Sequence, residues 1–255
     1  MTAAQSEDTT QRWALWIDLE GFSEFHAEDR APSLLSDLAF DLYEIGCGYC
    51  DNADRDGIAV FVHQFGDGFI LYPFNYEHSL ERPVAVAVAA MLATASRGGW
   101  LRTAISYGGL SDVVGWHHKE IQECVRREKN LAFTLGAGPG KMIITPVMGE
   151  GLIRAYGLSH RRDQPRGPQL LVDRKLETRL EGINGKLLEL QRDDQCIVID
   201  WLRSELPLAK KLLGAIHSTV PPADTLVQKL RRYLTDNPLR QDWKDGADML
   251  IRHRS

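Results

Sequence analysis

A chain of 255 residues, 44% hydrophobic and 25% charged, has the composition of a globular protein with one large domain, or one domain and an appendage. Its formal charge of -5 argues against a general nucleic-acid surface while leaving room for a local basic pocket. The longest apolar run, Val84 to Ala95, is too short and too rich in Ala to span a membrane, and the polar, acidic N-terminus does not read as a secretory signal, so the cytoplasm is the expected location.

The first predicted element is a buried strand over Trp13 to Ile17, aromatic and aliphatic with no Pro or Gly. Asp18 closes that run, Gly21 permits a tight turn, and Ser23 is placed to cap a following helix. A carboxylate at a strand end, just before a helix N-terminus, stands beside free backbone N–H groups, a layout that suits a metal held against phosphates. A surface Asp in a strand-to-helix turn is the plainer reading of the same residues. Apolar residues Leu34, Leu35, Leu38, Leu42 and Ile45 repeat at helical spacing, and Gly46 is expected to end that helix. Of the four cysteines, Cys47 and Cys50 form a single C-x-x-C, a poor zinc signal without a second pair, so packing is the expected role. The acidic stretch from Cys47 to Gly57 lacks the closing Glu of a calcium loop and reads as solvated.

Gly57 to Phe74 places two apolar runs around Gly66-Asp67-Gly68, a strong hairpin signal with an Asp at its tip. If these strands lie beside the first, Asp18 and Asp67 meet at one end of a sheet. Paired carboxylates can hold two divalent ions about 3.5–4 Å apart for phosphoryl transfer. A nearly all-apolar helix to Ser96 is expected to pack across the back of the sheet, followed by a strand from Leu101 to Tyr107 that ends at Gly108-Gly109. His117 and His118 are adjacent and would not share a helix face, so a polar connector or dimer contact is expected there. Gly136 to Lys141 lacks phosphate-loop spacing and reads as a flexible loop. A strand over Met142 to Thr145, a helix from Gly149 to Leu158, a basic loop, a strand over Gln169 to Asp173 and a hairpin around Asp193-Asp194 follow. Beyond Pro207 the sequence turns to amphipathic helices punctuated by Pro221-Pro222 and Pro238.

The order D-x-x-G-F-S, strand-GDGF-strand, Arg102 in L-R-T-A-I-S-Y-G-G, then P-V-M-G-E-G-L-I-R-A-Y-G-L resembles the catalytic domain of class III nucleotide cyclases. The resemblance implies an α+β, ferredoxin-like cyclase domain with an antiparallel sheet over residues 12–203, and a C-terminal helical appendage over 204–255. It implies a homodimer acting on a nucleoside triphosphate with two divalent ions, Mn²⁺ or Mg²⁺, at each site. Asp18, Asp67 and the Leu19 carbonyl would bind the metals. Asp18, Asp67 and Arg102 would be catalytic. The backbone of Glu20, Gly21, Phe22 and Ser23 would cradle phosphates, and Arg102 would reach the terminal ones. His63 stands where purine cyclases carry a Lys or Glu, and Ile153 and Gly157 stand where they carry an Asn and an Arg. Arg154, Arg161, Arg162 or Arg166 would then substitute for that Arg, and Phe22 and Tyr107 would narrow the pocket. This set of departures resembles the Pycsar pyrimidine cyclases of bacterial antiphage defence. It implies conversion of UTP to cyclic UMP and pyrophosphate, with a separate effector reached through the cyclic nucleotide and no stable nucleic acid or membrane partner. A cytidylate cyclase, a purine cyclase and a degenerate nucleotide-binding module are the alternatives.

Overall fold

The computed structural model describes residues 10–21, 31–50, 60–73, 78–112, 119, 122–123, 133–137, 140–144, 147–180, 183 and 187–253, some by backbone alone. Its centre is an α+β unit of β1 (Thr10–Glu20), α1 (Ala31–Cys50), β2 (Val60–Phe65), β3 (Gly68–Pro73), α2 (Glu81–Ser96) and β4 (Trp100–Asp112). The strands lie in the order β2-β3-β1-β4, the ferredoxin-like arrangement in which β1 is flanked by two strands distant in sequence. Beyond β4 the sheet continues through β8 (Leu170–Asp173), β10 (Cys196–Ile199) and β9 (Glu189–Arg192). Among the described strands every pairing is antiparallel except β4 with β8.

Alternation along β1 gives the sheet two different faces. Trp13, Leu15, Ile17 and Leu19 turn toward α1 and α2, where the Val-Ala repeat of α2 is buried almost throughout. Small side chains let that helix lie close on the sheet, and each buried Val still contributes about 1.5–3 kcal/mol. Ala14 and Trp16 turn the other way, toward α3 (Glu150–Ser159). α3 approaches β4 backbone to backbone: a Cβ on Gly108 would stand 2.6 Å from the Gly151 nitrogen, and Ser106 Oγ donates to the Gly151 carbonyl. Gly108 and Gly109 therefore sit inside β4 rather than ending it, because they are needed for helix approach and not for a turn.

Other boundaries also move. β1 runs on past Asp18 to Glu20. α1 continues through Gly46 to Cys50, with open space around Gly46; its buried stripe from Leu34 to Ile45 outweighs the propensity cost of one glycine. Residues 51–59 and the His117-His118 pair lie outside the described residues. Of the stretch expected to be a loop, Gly136–Ala137 and Gly140–Lys141 lie in a two-stranded ribbon, β5 (Phe133–Ala137) with β6 (Gly140–Ile144), with Gly136 in register with Lys141; residues 138–139 lie outside the described residues. The short β7 (Val147–Gly149) leads into α3. A 3-10 turn (Arg174–Leu176) and α4 (Glu177–Leu180) follow β8. α5 (Pro207–Ala215), α6 (Ala223–Asp236) and α7 (Gln241–Arg252) come after β10, and Leu212, Leu226, Leu230, Trp243 and Leu250 join the core built on α2.

Candidate active site

Asp18 occupies the position on β1 where both neighbouring strands meet it: its register partners are Gly68 on β3 and Arg102 on β4. Gly68 follows the two-residue turn Gly66-Asp67, which Gly66 makes possible at φ +62°. The hairpin thus delivers Asp67 to the end of β1 where Asp18 stands. The two carboxylates feel one another. Burial, then the Asp67 charge, then the Glu20 charge push the Asp18 carboxyl up to about 7. Burial likewise raises Glu20, against the opposing pull of the Arg102 guanidinium.

The cations answer from further along the chain. Arg102 is 1% exposed and uses its fork on carbonyls: Nε donates to Ser159 O at 2.7 Å, and Nη1 to Pro165 O at 3.0 Å and Gln169 Oε1 at 3.1 Å. Its buried Nη2 has no hydrogen-bond partner among the described residues. Arg166 is the second cation whose field reaches Asp18 and Glu20. His160, one residue past α3, places Nε2 4.0 Å from Asp18 Oδ2, a contact that is an ion pair only when the imidazole is protonated. Its ring stacks on Tyr156 at 4.0 Å and 22°, and Trp16 stands edge-on to Tyr156 at 5.0 Å. Burial holds the His160 imidazole below its ordinary value. The result is an acidic cluster beside an aromatic wall.

The expected residues divide as follows. Asp18, Asp67, Glu20 and Arg102 come together. Leu19 is buried in the β1–β4 ladder, and Gly21 follows β1 directly at φ +76°. Phe22 and Ser23 lie outside the described residues. His63 is described by its backbone, in register with Ile70. Arg154 pairs with Glu150 and Asp173, both at 3.2 Å, and lines a cavity of about 420 Å³ with Arg161 and Lys175. Tyr107 belongs to the core on the opposite face of the sheet from Asp18, where its ring takes Arg179 at 3.7 Å; it cannot narrow a pocket at Asp18. His160 was not singled out from the sequence. Its one signal is its place four residues after Tyr156, at the end of an amphipathic helix.

Among the described residues, no group of three or more His, Cys, Asp and Glu side chains is placed to hold a metal ion. The pair Asp18 and Asp67 nonetheless suits a hard divalent cation: two carboxylates at one strand end, where burial and the Asp67 charge disfavour ionisation of Asp18 without one. No helix among the described residues is long and apolar enough to cross a membrane.

No family model and no curated protein matches the sequence. Among solved structures, the chain is similar to the crystal structure of the adenylyl cyclase CyaB from P. aeruginosa, at 12% identity and a TM-score of 0.42, over 75% of this chain and 93% of that one. It is also similar to the structure of a bacterial light-regulated adenylyl cyclase, at 8% identity and a TM-score of 0.39, over 81% of this chain and 57% of that one.

Proposed function

We propose that the chain is a nucleotide cyclase that converts UTP to cyclic UMP and pyrophosphate. The observation that carries this reading is the meeting of Asp18 and Asp67 at the end of β1, with the Asp18 proton held until about 7. In the reaction the ribose 3′-oxygen forms a bond to the α-phosphorus, the bond from that phosphorus to the β-phosphate oxygen breaks, and the hydroxyl proton passes to solvent. The protein forms no covalent bond; positioning and charge neutralisation carry the rate.

Asp18, Asp67 and the Leu19 carbonyl would hold two divalent ions. When bound, these supply charge neutralisation and a lowered 3′-hydroxyl pKa. The chain's own cations do the remaining electrostatic work. Arg102, 1% exposed, acts through position and charge: its planar fork fixes the 159–169 segment around the cluster, and its charge reaches Asp18 and Glu20. Arg166, rather than Arg154 or Arg161, is the substitute cation this reading favours. Arg154 is paired with Asp173 at 3.2 Å and Arg161 with Asp193 and Asp163; Arg166 has a longer pair, 3.7 Å to Asp242, and its charge is felt at Asp18. The wall of Trp16, Tyr156 and His160 narrows the site for a small base, and His63 is the candidate for reading it.

The exposed apolar residues Met148, Ile153 and Tyr156 on β7 and α3 support a homodimer formed on this face, and the product would act on a separate effector in antiphage defence. A second reading, a nucleotide-binding module without turnover, draws support from Ile153, 65% exposed, and from Gly157, with open space around it, in place of the Asn and Arg of purine cyclases. Incubation with UTP, CTP, ATP and GTP and Mn²⁺, followed by mass spectrometry, decides between them. Cyclic UMP as the main product supports the proposal. Nucleotide binding without any cyclic product replaces it by the second reading.

A further inference from the structure

The segment 165–169 is held from two sides. From the site, Arg102 Nη1 donates to Pro165 O and Gln169 Oε1. From the other side, α7 closes on it. The Arg166 amide donates to Asp242 O at 2.8 Å, and Arg166 Nε stands 3.7 Å from Asp242 Oδ2, an oxygen that also takes Arg240 Nη2 at 2.9 Å. Gly167 adopts φ +89°, and a Cβ there would come 2.8 Å from Trp243 O. A Cβ on Gly246 would overlap the Arg166 carbonyl oxygen and stand 3.1 Å from Gln169 Nε2. Gln169 Nε2 in turn reaches Met249 Sδ at 3.5 Å.

The far end of α7 is anchored as well. Arg203 Nη1 donates to Leu250 O at 3.0 Å, and His253 Nδ1 lies 2.9 Å from Oδ2 of the fully buried Asp200. Trp243, Ala247 and Leu250 bury the apolar face between the two anchors. A helix docked by its apolar face alone does not require backbone-to-backbone contact. It occurs here where Gly246 faces the Arg166 carbonyl and Gly167 faces Trp243 O and Ala247 N, on the segment that fixes the two arginines of the acidic cluster.

We infer that α7 is a positioning element of the nucleotide site: through residues 165–169 it sets where Arg102 and Arg166 stand, which makes Gly246 and Asp242 positioning residues for the reaction. This rests on the cyclase reading above. It adds to that reading a helix far from Asp18 in sequence, whose displacement would detune the site without touching a metal carboxylate.

The test uses the full chain with Gly246→Ala, Asp242→Asn, and Gly214→Ala as control, since Gly214 on α5 has open space around it. Two readouts are taken: hydrogen exchange at the amides of residues 166–169, and steady-state kinetics with UTP and Mn²⁺. Gly246→Ala is expected to speed exchange at 166–169 and to lower kcat/KM by about 100-fold, mostly through KM, while Gly214→Ala changes neither. Unchanged exchange and KM in Gly246→Ala overturn the inference. So does a fall in kcat at constant KM that follows the unfolded fraction. If Gly246→Ala does not fold, Asp242→Asn, which removes the Arg166 ion pair and keeps the backbone bond, must raise KM on its own; an unchanged KM overturns the inference. A wild-type chain inert toward all four triphosphates sinks the cyclase reading, and the exchange readout then judges the α7 contact separately.

Discussion

Asp18 and Arg102 stand directly opposite one another on β1 and β4, yet the guanidinium hydrogen-bonds to two carbonyls and a side-chain amide from the 159–169 region rather than to the carboxylate. The carboxylate is left with a histidine at 4.0 Å and a second acid as neighbours. A half-buried acid without a close cation is costly, and such costs collect where a ligand is to supply the missing charge.

Asp67→Ala should abolish Mn²⁺-dependent cyclisation and leave the fold intact. The residue sits in a two-residue turn that Gly66 defines, so its side chain is not needed for the hairpin. Turnover and the thermal transition are the paired measurements. Activity that survives the substitution takes Asp67 out of the mechanism.

Asp18 keeps its proton up to about 7 in the folded chain, against 3.8 ordinarily. Between those values the native state binds more protons than the unfolded state, so stability falls as pH rises through that window. Asp18→Asn removes the titration. Melting temperatures taken from about pH 4 to about pH 8 should show the variant gaining on wild type toward the alkaline end. Parallel curves for the two proteins would reject the raised pKa.

Arg102→Lys should behave differently from Asp67→Ala. A single ammonium cannot reach Ser159 O, Pro165 O and Gln169 Oε1 together, so at least one buried acceptor loses its donor. The expected loss is about 1–3 kcal/mol in urea unfolding, together with loss of turnover. A variant of wild-type stability would show that the fork is not what holds the 159–169 segment.

His63→Ala should change the ranking of UTP, CTP, ATP and GTP in an assay of all four with Mn²⁺. His63 lies on β2, in backbone register with Ile70 of β3, close in sequence to the Asp67 turn. An unaltered ranking assigns base choice to other residues.

Local chemistry made the sheet readable. Alternation in Trp13–Ile17, the Gly66-Asp67-Gly68 turn and the Val-Ala run of α2 each specify an element through contacts a few residues apart, and their order specified the strand arrangement. The errors fall where distant contacts decide. Gly46 read as a helix stop, yet the buried stripe of its helix carries it on; Gly108 read as the end of a strand, yet its missing Cβ admits the Gly151 backbone inside that strand. Within the site, the meeting of Asp18 and Asp67 was legible because one hairpin delivers it. His160 and Asp242 were not, since a histidine after a helix and an aspartate in a surface helix acquire meaning from the elements packed against them.

Because β1 is paired on both flanks by strands that come much later in the chain, the surroundings of Asp18 do not exist in any early folding product. Three remote stretches must first converge, a slow search for a polypeptide. On the proposed cyclase reading, cation recognition and native assembly are therefore one cooperative event, and a partly folded copy would be blind to the ion.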